Sequence, residues 1–188
     1  MNTEHEQILL RAARDGVTAA VKNQSPPSLS SADEVLNEHC GCFVTLKNSG
    51  MLRGCLGQFV SEKPLIELVG EMAAASSTRD PRFLAKPITP DELGSLDVEI
   101  SVLSPLKRTD DPGSLRLGVD GIYIKKGYQS GCFLPQVATE TGWTAEQFLT
   151  HCCVQKAGLD ADDWQKGEAE VYLFTADVFG AGFAEIPE

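Results

Sequence analysis

The stretch CFVTLKNSGMLRGCLGQF at 42–59 constrains the fold most, because two β-rich runs flank Asn48-Ser49-Gly50, a cluster of turn residues. The spacing predicts a β-hairpin. Before it, Ile8, Leu9, Ala12, Ala13, Val17, Ala20 and Val21 recur every 3.6 residues, so residues 4–22 read as an amphipathic helix, ended by SPPSLSS at 25–31. After it, Pro64 suits a first helical turn, and Leu65, Leu68, Val69, Met72 and Ala73 carry a second helix to about Ala75. SSTRDPRF at 76–83 reads as a polar loop and Thr89–Leu93 as a short capped helix. Strands are expected at Val98–Leu103, Leu115–Val119, Gly121–Gly127 and Gly131–Leu134, followed by a helical turn from Pro135 through Thr139. Thr144 with Gln147 has the pattern of a capping box, opening a helix that runs to about Ala157 and stops at Gly158. A last strand, Glu170–Phe179, is apolar on both sides, as a strand buried on two faces would be. Strands and helices intermingle without regular β-α alternation, which argues for an α+β fold over a doubly wound sheet.

The 188 residues fit one domain, against a usual ~100–200 residues. With 27 acidic and 16 basic side chains the net charge is −11, so neither nucleic acid nor an anionic membrane is an expected partner. The start MNTEHEQ has no basic or apolar signal region, and no apolar run approaches the ~20 residues of a membrane span, so a cytoplasmic location is expected. There the six cysteines are expected as thiols.

Arg53-Gly54-Cys55-Leu56-Gly57 is the most informative run. In a regular strand Arg53, Cys55 and Gly57 share one side, and a guanidinium near a thiol favours the thiolate that a nucleophile requires. The other reading is a small buried cysteine with Arg53 reaching solvent. In Asp80-Pro81-Arg82-Phe83, Arg82 is suited to a carboxylate or phosphate with Asp80 orienting it, or the two form a plain loop ion pair. Glu99 and Ser101 share one face of their strand, where a carboxylate is a candidate general base; a half-solvated strand accounts for the same alternation. His39-Cys40-x-Cys42 and His151-Cys152-Cys153 lack knuckle spacing, so no metal site is expected.

FVTL at 43–46, LRGCLG at 52–57, DPRF at 80–83, EISVLSP at 99–105, LPQVA at 134–138, and KAGL followed by Trp164 resemble the successive motifs of the AMMECR domain family. The family is named after the AMME-syndrome candidate-region gene product. The resemblance runs in order from about Gly41 to Phe179 and implies a single AMMECR domain over 1–188. It further implies an α+β fold, with mixed or antiparallel sheets, flanking helices, and two unequal subdomains with a cleft between them. It places the functional site at Arg53 and Cys55 and brings no established reaction or cofactor. Bacterial and archaeal members are associated with a Memo-like protein, similar to non-haem iron dioxygenases, and a radical S-adenosylmethionine enzyme, together called the AmmeMemoRadiSam system. That implies a component of a modification pathway. On this reading Cys55, Arg53 and Glu99 are the candidate catalytic residues, and Arg82, Asp80 and Ser101 bind substrate. The alternative is a non-catalytic interaction module with Cys55 structural. Cys40, Cys42 and Cys132 sit where the family pattern has no fixed cysteine, and Leu56 replaces its usual isoleucine.

Overall fold

A computed structural model describes residues 1–187 as two compact units, the first built from 1–102 with the stretch from Asp177, the second from Leu103–Ala176. In the first unit, helix α1 (Thr3–Val21) precedes the hairpin β1 (Cys42–Asn48) and β2 (Met51–Gln58). Helix α2 (Leu65–Thr78), a 3-10 segment at Pro90–Ser95 and strand β3 (Leu96–Leu103) follow. The second unit holds β4 (Lys107–Thr109), β5 (Gly121–Lys126), β6 (Gln129–Phe133), α3 (Pro135–Thr141), α4 (Ala145–His151), α5 (Asp163–Lys166) and β7 (Glu170–Phe174). Strand β8 (Ala176–Gly182) returns to the first unit. The sheets run β2-β1-β3-β8 and β4-β7-β5-β6, with β1–β2, β1–β3, β4–β7, β5–β6 and β5–β7 all antiparallel, so the α+β expectation holds. No helix among the described residues is long and apolar enough to cross a membrane.

One face of the first sheet is core. Val44, Leu46, Val98 and Ile100 are buried there with Leu9, Ala13 and Val17 of α1 and Leu65, Leu68, Val69 and Met72 of α2. The helices meet at backbone distance, since a Cβ on Gly16 would lie 2.3 Å from the Gly70 carbonyl oxygen. The hairpin turns on Ser49 and Gly50, both at positive φ, as the twist of paired strands requires. In the second unit the Thr144–Gln147 capping box forms as expected; α4 continues as a π-helical turn, Cys152–Ala157, capped by left-handed Gly158.

Several expectations change. The serines expected in the 76–83 loop are the last turn of α2, and Ser76 is buried because its hydroxyl donates to the Val44 carbonyl while accepting from the Leu56 amide, both at 2.8 Å. Pro64 caps α2 from outside its first turn. The segment after Thr89 is a 3-10 helix with no side-chain cap. Leu115–Val119 is no strand: Arg116 binds Asp120 through its amide and guanidinium, closing a tight loop, and the local strand is Lys107–Thr109 instead. The last strand is two, in different sheets and largely half-exposed rather than buried on both faces. The break falls at Thr175, whose amide and carbonyl are held by Ser104 at 2.9 Å each.

Candidate functional site

The LRGCLG run occupies β2, and each residue from 53 to 57 has a distinct task. Pairing with β1 steps from Lys47–Leu52 to Leu46–Gly54, so Arg53 has no partner and forms a β-bulge. The bulge turns its guanidinium to Glu92, in two bonds of 2.6 and 3.0 Å, and to the Lys86 carbonyl at 3.1 Å. Asn48 also donates to Glu92. Hydrogen bonding from Arg53 lowers the Glu92 pKa, and the same contact raises that of Arg53. The charge expected beside Cys55 is therefore committed elsewhere. Gly54 is where α2 touches the strand, because a Cβ there would lie 1.9 Å from the Ser76 carbonyl oxygen. At Gly57 a Cβ would lie 2.4 Å from the Phe43 ring. A glycine in a strand marks close approach of another group; at Gly54 that group is backbone.

Cys55 faces away from the helices, directly opposite Thr45, which is opposite Glu99 on β3. Across this row of three, the Thr45 hydroxyl donates to the Cys55 sulfur at 3.2 Å. Glu99 accepts from Lys47 at 3.2 Å. Two strand spacings separate Cys55 and Glu99, about 10 Å between backbones, so the two share a row without lying side by side. Ser101 lies two residues further on the same side of β3, opposite Phe43, and is buried.

Asp80 and Arg82 complete the site. The Asp80 side chain is 1% exposed, and its Oδ2 accepts from the Cys55 amide at 2.9 Å. Arg82 gives it the backbone amide, Nε at 3.0 Å and Nη2 at 2.6 Å. These bonds, Arg82's side chain first, hold the Asp80 carboxyl down at about 2. Nη2 also donates to the Cys55 carbonyl at 3.2 Å. Asp80 is the main cause of the raised Arg82 pKa, and Cys55 adds to it. A guanidinium carries five N–H groups. Arg82 spends Nε and Nη2 on its own placement, and on a side chain 54% exposed its Nη1 makes no hydrogen bond among the described residues.

Of the sequence candidates, Cys55, Asp80 and Arg82 thus come together, Glu99 shares the sheet face of Cys55, Arg53 turns to Glu92, and Ser101 is buried one row away. Thr45, Ser76 and Glu92 were not foreseen. Among the described residues, no group of three or more His, Cys, Asp and Glu side chains is placed to hold a metal ion. Burial raises the thiol pKa of Cys42 and Cys152, against the thiolate a metal would require.

An α+β protein with a cysteine-bearing strand of this kind has close relatives. The family described as AMMECR1 matches residues 10–179. A protein of Methanothermobacter thermautotrophicus is 45% identical over 186 residues, covering 95% of each chain. Protein TK0174 of Thermococcus kodakarensis is 38% identical, covering 94% of this chain and 90% of that one. The crystal structure of the uncharacterised protein PH0010 from Pyrococcus horikoshii matches with a TM-score of 0.89 at 35% identity, covering 100% of this chain and 96% of that one. The chain belongs to the AMMECR1 family. Its match starts inside α1, so the family module includes the first helix pair as well as the motifs from residue 41 onward.

Proposed function

We propose that this protein is a thiol-dependent component of a modification pathway, in which Cys55 is the nucleophile presented to a small or protein-borne substrate carrying an anionic group. The observation that carries this is the setting of the Cys55 sulfur. A hydroxyl donates to it at 3.2 Å, and the Arg82 guanidinium is bonded to the carbonyl of the same residue. A hydroxyl that donates to the sulfur and a cation on the same residue are contacts suited to a nucleophilic cysteine. The Nη1 N–H groups of Arg82 donate to the substrate's carboxylate or phosphate. Asp80 positions both Arg82 and the Cys55 backbone, and Glu99 orients or accepts a proton from the part of the substrate over β3. Arg53 holds the bulge. A Memo-like protein and a radical S-adenosylmethionine enzyme are the partners the family resemblance implies.

The test is charge selectivity. Alkylation rates of Cys55 by iodoacetate and by iodoacetamide are measured by peptide mass spectrometry and each normalised to free glutathione. The wild-type protein should favour the anionic reagent about fivefold, the worth of one half-exposed charge-assisted contact, and Arg82→Met should erase the preference. Equal normalised rates in both proteins overturn the proposal.

A second reading, a non-catalytic interaction module with Cys55 structural, is favoured by exposed apolar side chains near β2 and DPRF in the chain: Met51 at 68%, Val60 at 70% and Leu84 at 60%. It predicts that Val60→Asp with Leu84→Asp abolishes capture of a purified Memo-like protein, whereas Cys55→Ser does not. Capture lost with Cys55→Ser alone argues against it.

A further inference from the structure

A groove of about 510 Å³ lies along a different stripe of α2, where α1, α2 and the connector at residues 24–29 meet. It exists because the helices offer almost no side chain there. Gly16, Ala19 and Ala20 come from α1, and Gly70 and Ala74 from α2. The Gly16–Gly70 contact fixes the helix pair at its closest distance, and Leu29 reaches in so far that a Cβ on Gly70 would lie 2.4 Å from its Cδ1. Pro26 and Pro27 form part of the wall. Two successive prolines hold their φ angles in advance, so a ligand entering here meets a wall that needs no ordering.

The volume falls in the ~300–1,000 Å³ range of small-molecule sites. The charges at the rim give it polarity. At one end Lys63 is neutralised by Glu71 at 2.5 Å, and Glu67 stands beside that pair without a bond of its own among the described residues. At the other end Arg79, just past the last turn of α2, makes no side-chain hydrogen bond or ion pair among the described residues. Glu67 and Arg79, the residue that caps α2, are twelve positions apart, about 18 Å at ~1.5 Å per residue. An anion is therefore repelled at one end of the groove and received at the other, with an apolar floor between.

We propose that this groove binds a small molecule with an apolar body and one anionic head group, the body against Ala19, Ala20, Ala74 and Leu29 and the head on Arg79. The site is independent of the Cys55 reading. The probe is 8-anilinonaphthalene-1-sulfonate, titrated by fluorescence against the intact protein at neutral pH. Saturable binding is expected, weakened about fivefold by Arg79→Gln and abolished by Ala74→Trp, which fills the floor. Arg79 is exposed, so its substitution leaves the melting temperature unchanged and decides the matter even if Ala74→Trp fails to fold. Cys55 alkylation should be the same in Arg79→Gln and wild type, which separates this site from the thiol. No binding to the wild type, or binding that Arg79→Gln leaves unchanged, overturns the proposal.

Discussion

Asp80→Asn is the most informative single perturbation of the site's architecture. The carboxylate is nearly fully buried, and it collects one bond from the Cys55 amide and three from Arg82. Its pKa falls from 3.8 to about 2. At ~1.36 kcal/mol per pH unit that difference corresponds to about 2.4 kcal/mol of folding free energy. Because the Arg82 side chain is 54% exposed, solvent screens part of the interaction and about 1–2 kcal/mol remains. The folded pKa is the depressed one, so this stability is complete above about pH 4 and is lost as pH falls through about 2. Asparagine keeps the shape and one acceptor oxygen but turns an N–H₂ group toward the donors of Arg82. Urea unfolding followed by circular dichroism should show a loss of about 1–2 kcal/mol at neutral pH, shrinking to about half that difference at pH 3. No loss at neutral pH, or a loss of equal size at both values, would refute the reasoning.

Three further outcomes follow from the same geometry. Gly54→Ala, which puts a Cβ 1.9 Å from the Ser76 carbonyl oxygen, should cost more than about 3 kcal/mol or prevent soluble expression; a melting temperature within a degree of wild type would contradict it. A double-mutant cycle of Arg53→Gln with Glu92→Gln should give a coupling of about 1–2 kcal/mol for this two-pronged, largely buried pair, while Cys55 alkylation stays within about twofold of wild type; a large drop in alkylation would restore Arg53 to the thiol. Burial, helped by Glu38, pushes the Cys40 thiol up to about 11, so its alkylation should climb about tenfold per pH unit between pH 7 and 10, and a plateau by pH 8 would show the thiol to be less buried than it stands here.

Much of this was legible where the signal is local. The stripe of α1, the hairpin turn, and the Thr144–Gln147 box closed by Gly158 are each written within a few residues. The bulge was not. With a two-residue turn and Asn48 opposite Met51, plain register sets Thr45 opposite Gly54; the extra residue at Arg53 moves Cys55 there instead. What holds the bulge is Glu92, 39 residues away, and nothing near Arg53 announces it. Ser76 and Ser77 read as loop because serines favour turns, yet Ser76 is buried by partners 20 and 32 residues distant. The split at Thr175 is set by Ser104, 71 residues earlier. DPRF was legible as an Asp–Arg pair, but that Asp80 also holds the Cys55 amide depends on where α2 ends.

The proposed function stands on Cys55 as a reactive thiol held by Thr45, Asp80 and Arg82. Site-resolved alkylation of all six cysteines in the native protein at neutral pH, by peptide mass spectrometry, tests it most directly. Cys55 should be modified first, Thr45→Val and Arg82→Met should each slow it several-fold, and buried Cys42, Cys152 and Cys153 should stay protected. Modification of Cys55 no faster than that of Cys40, with neither substitution changing its rate, would make it a structural cysteine and contradict the account.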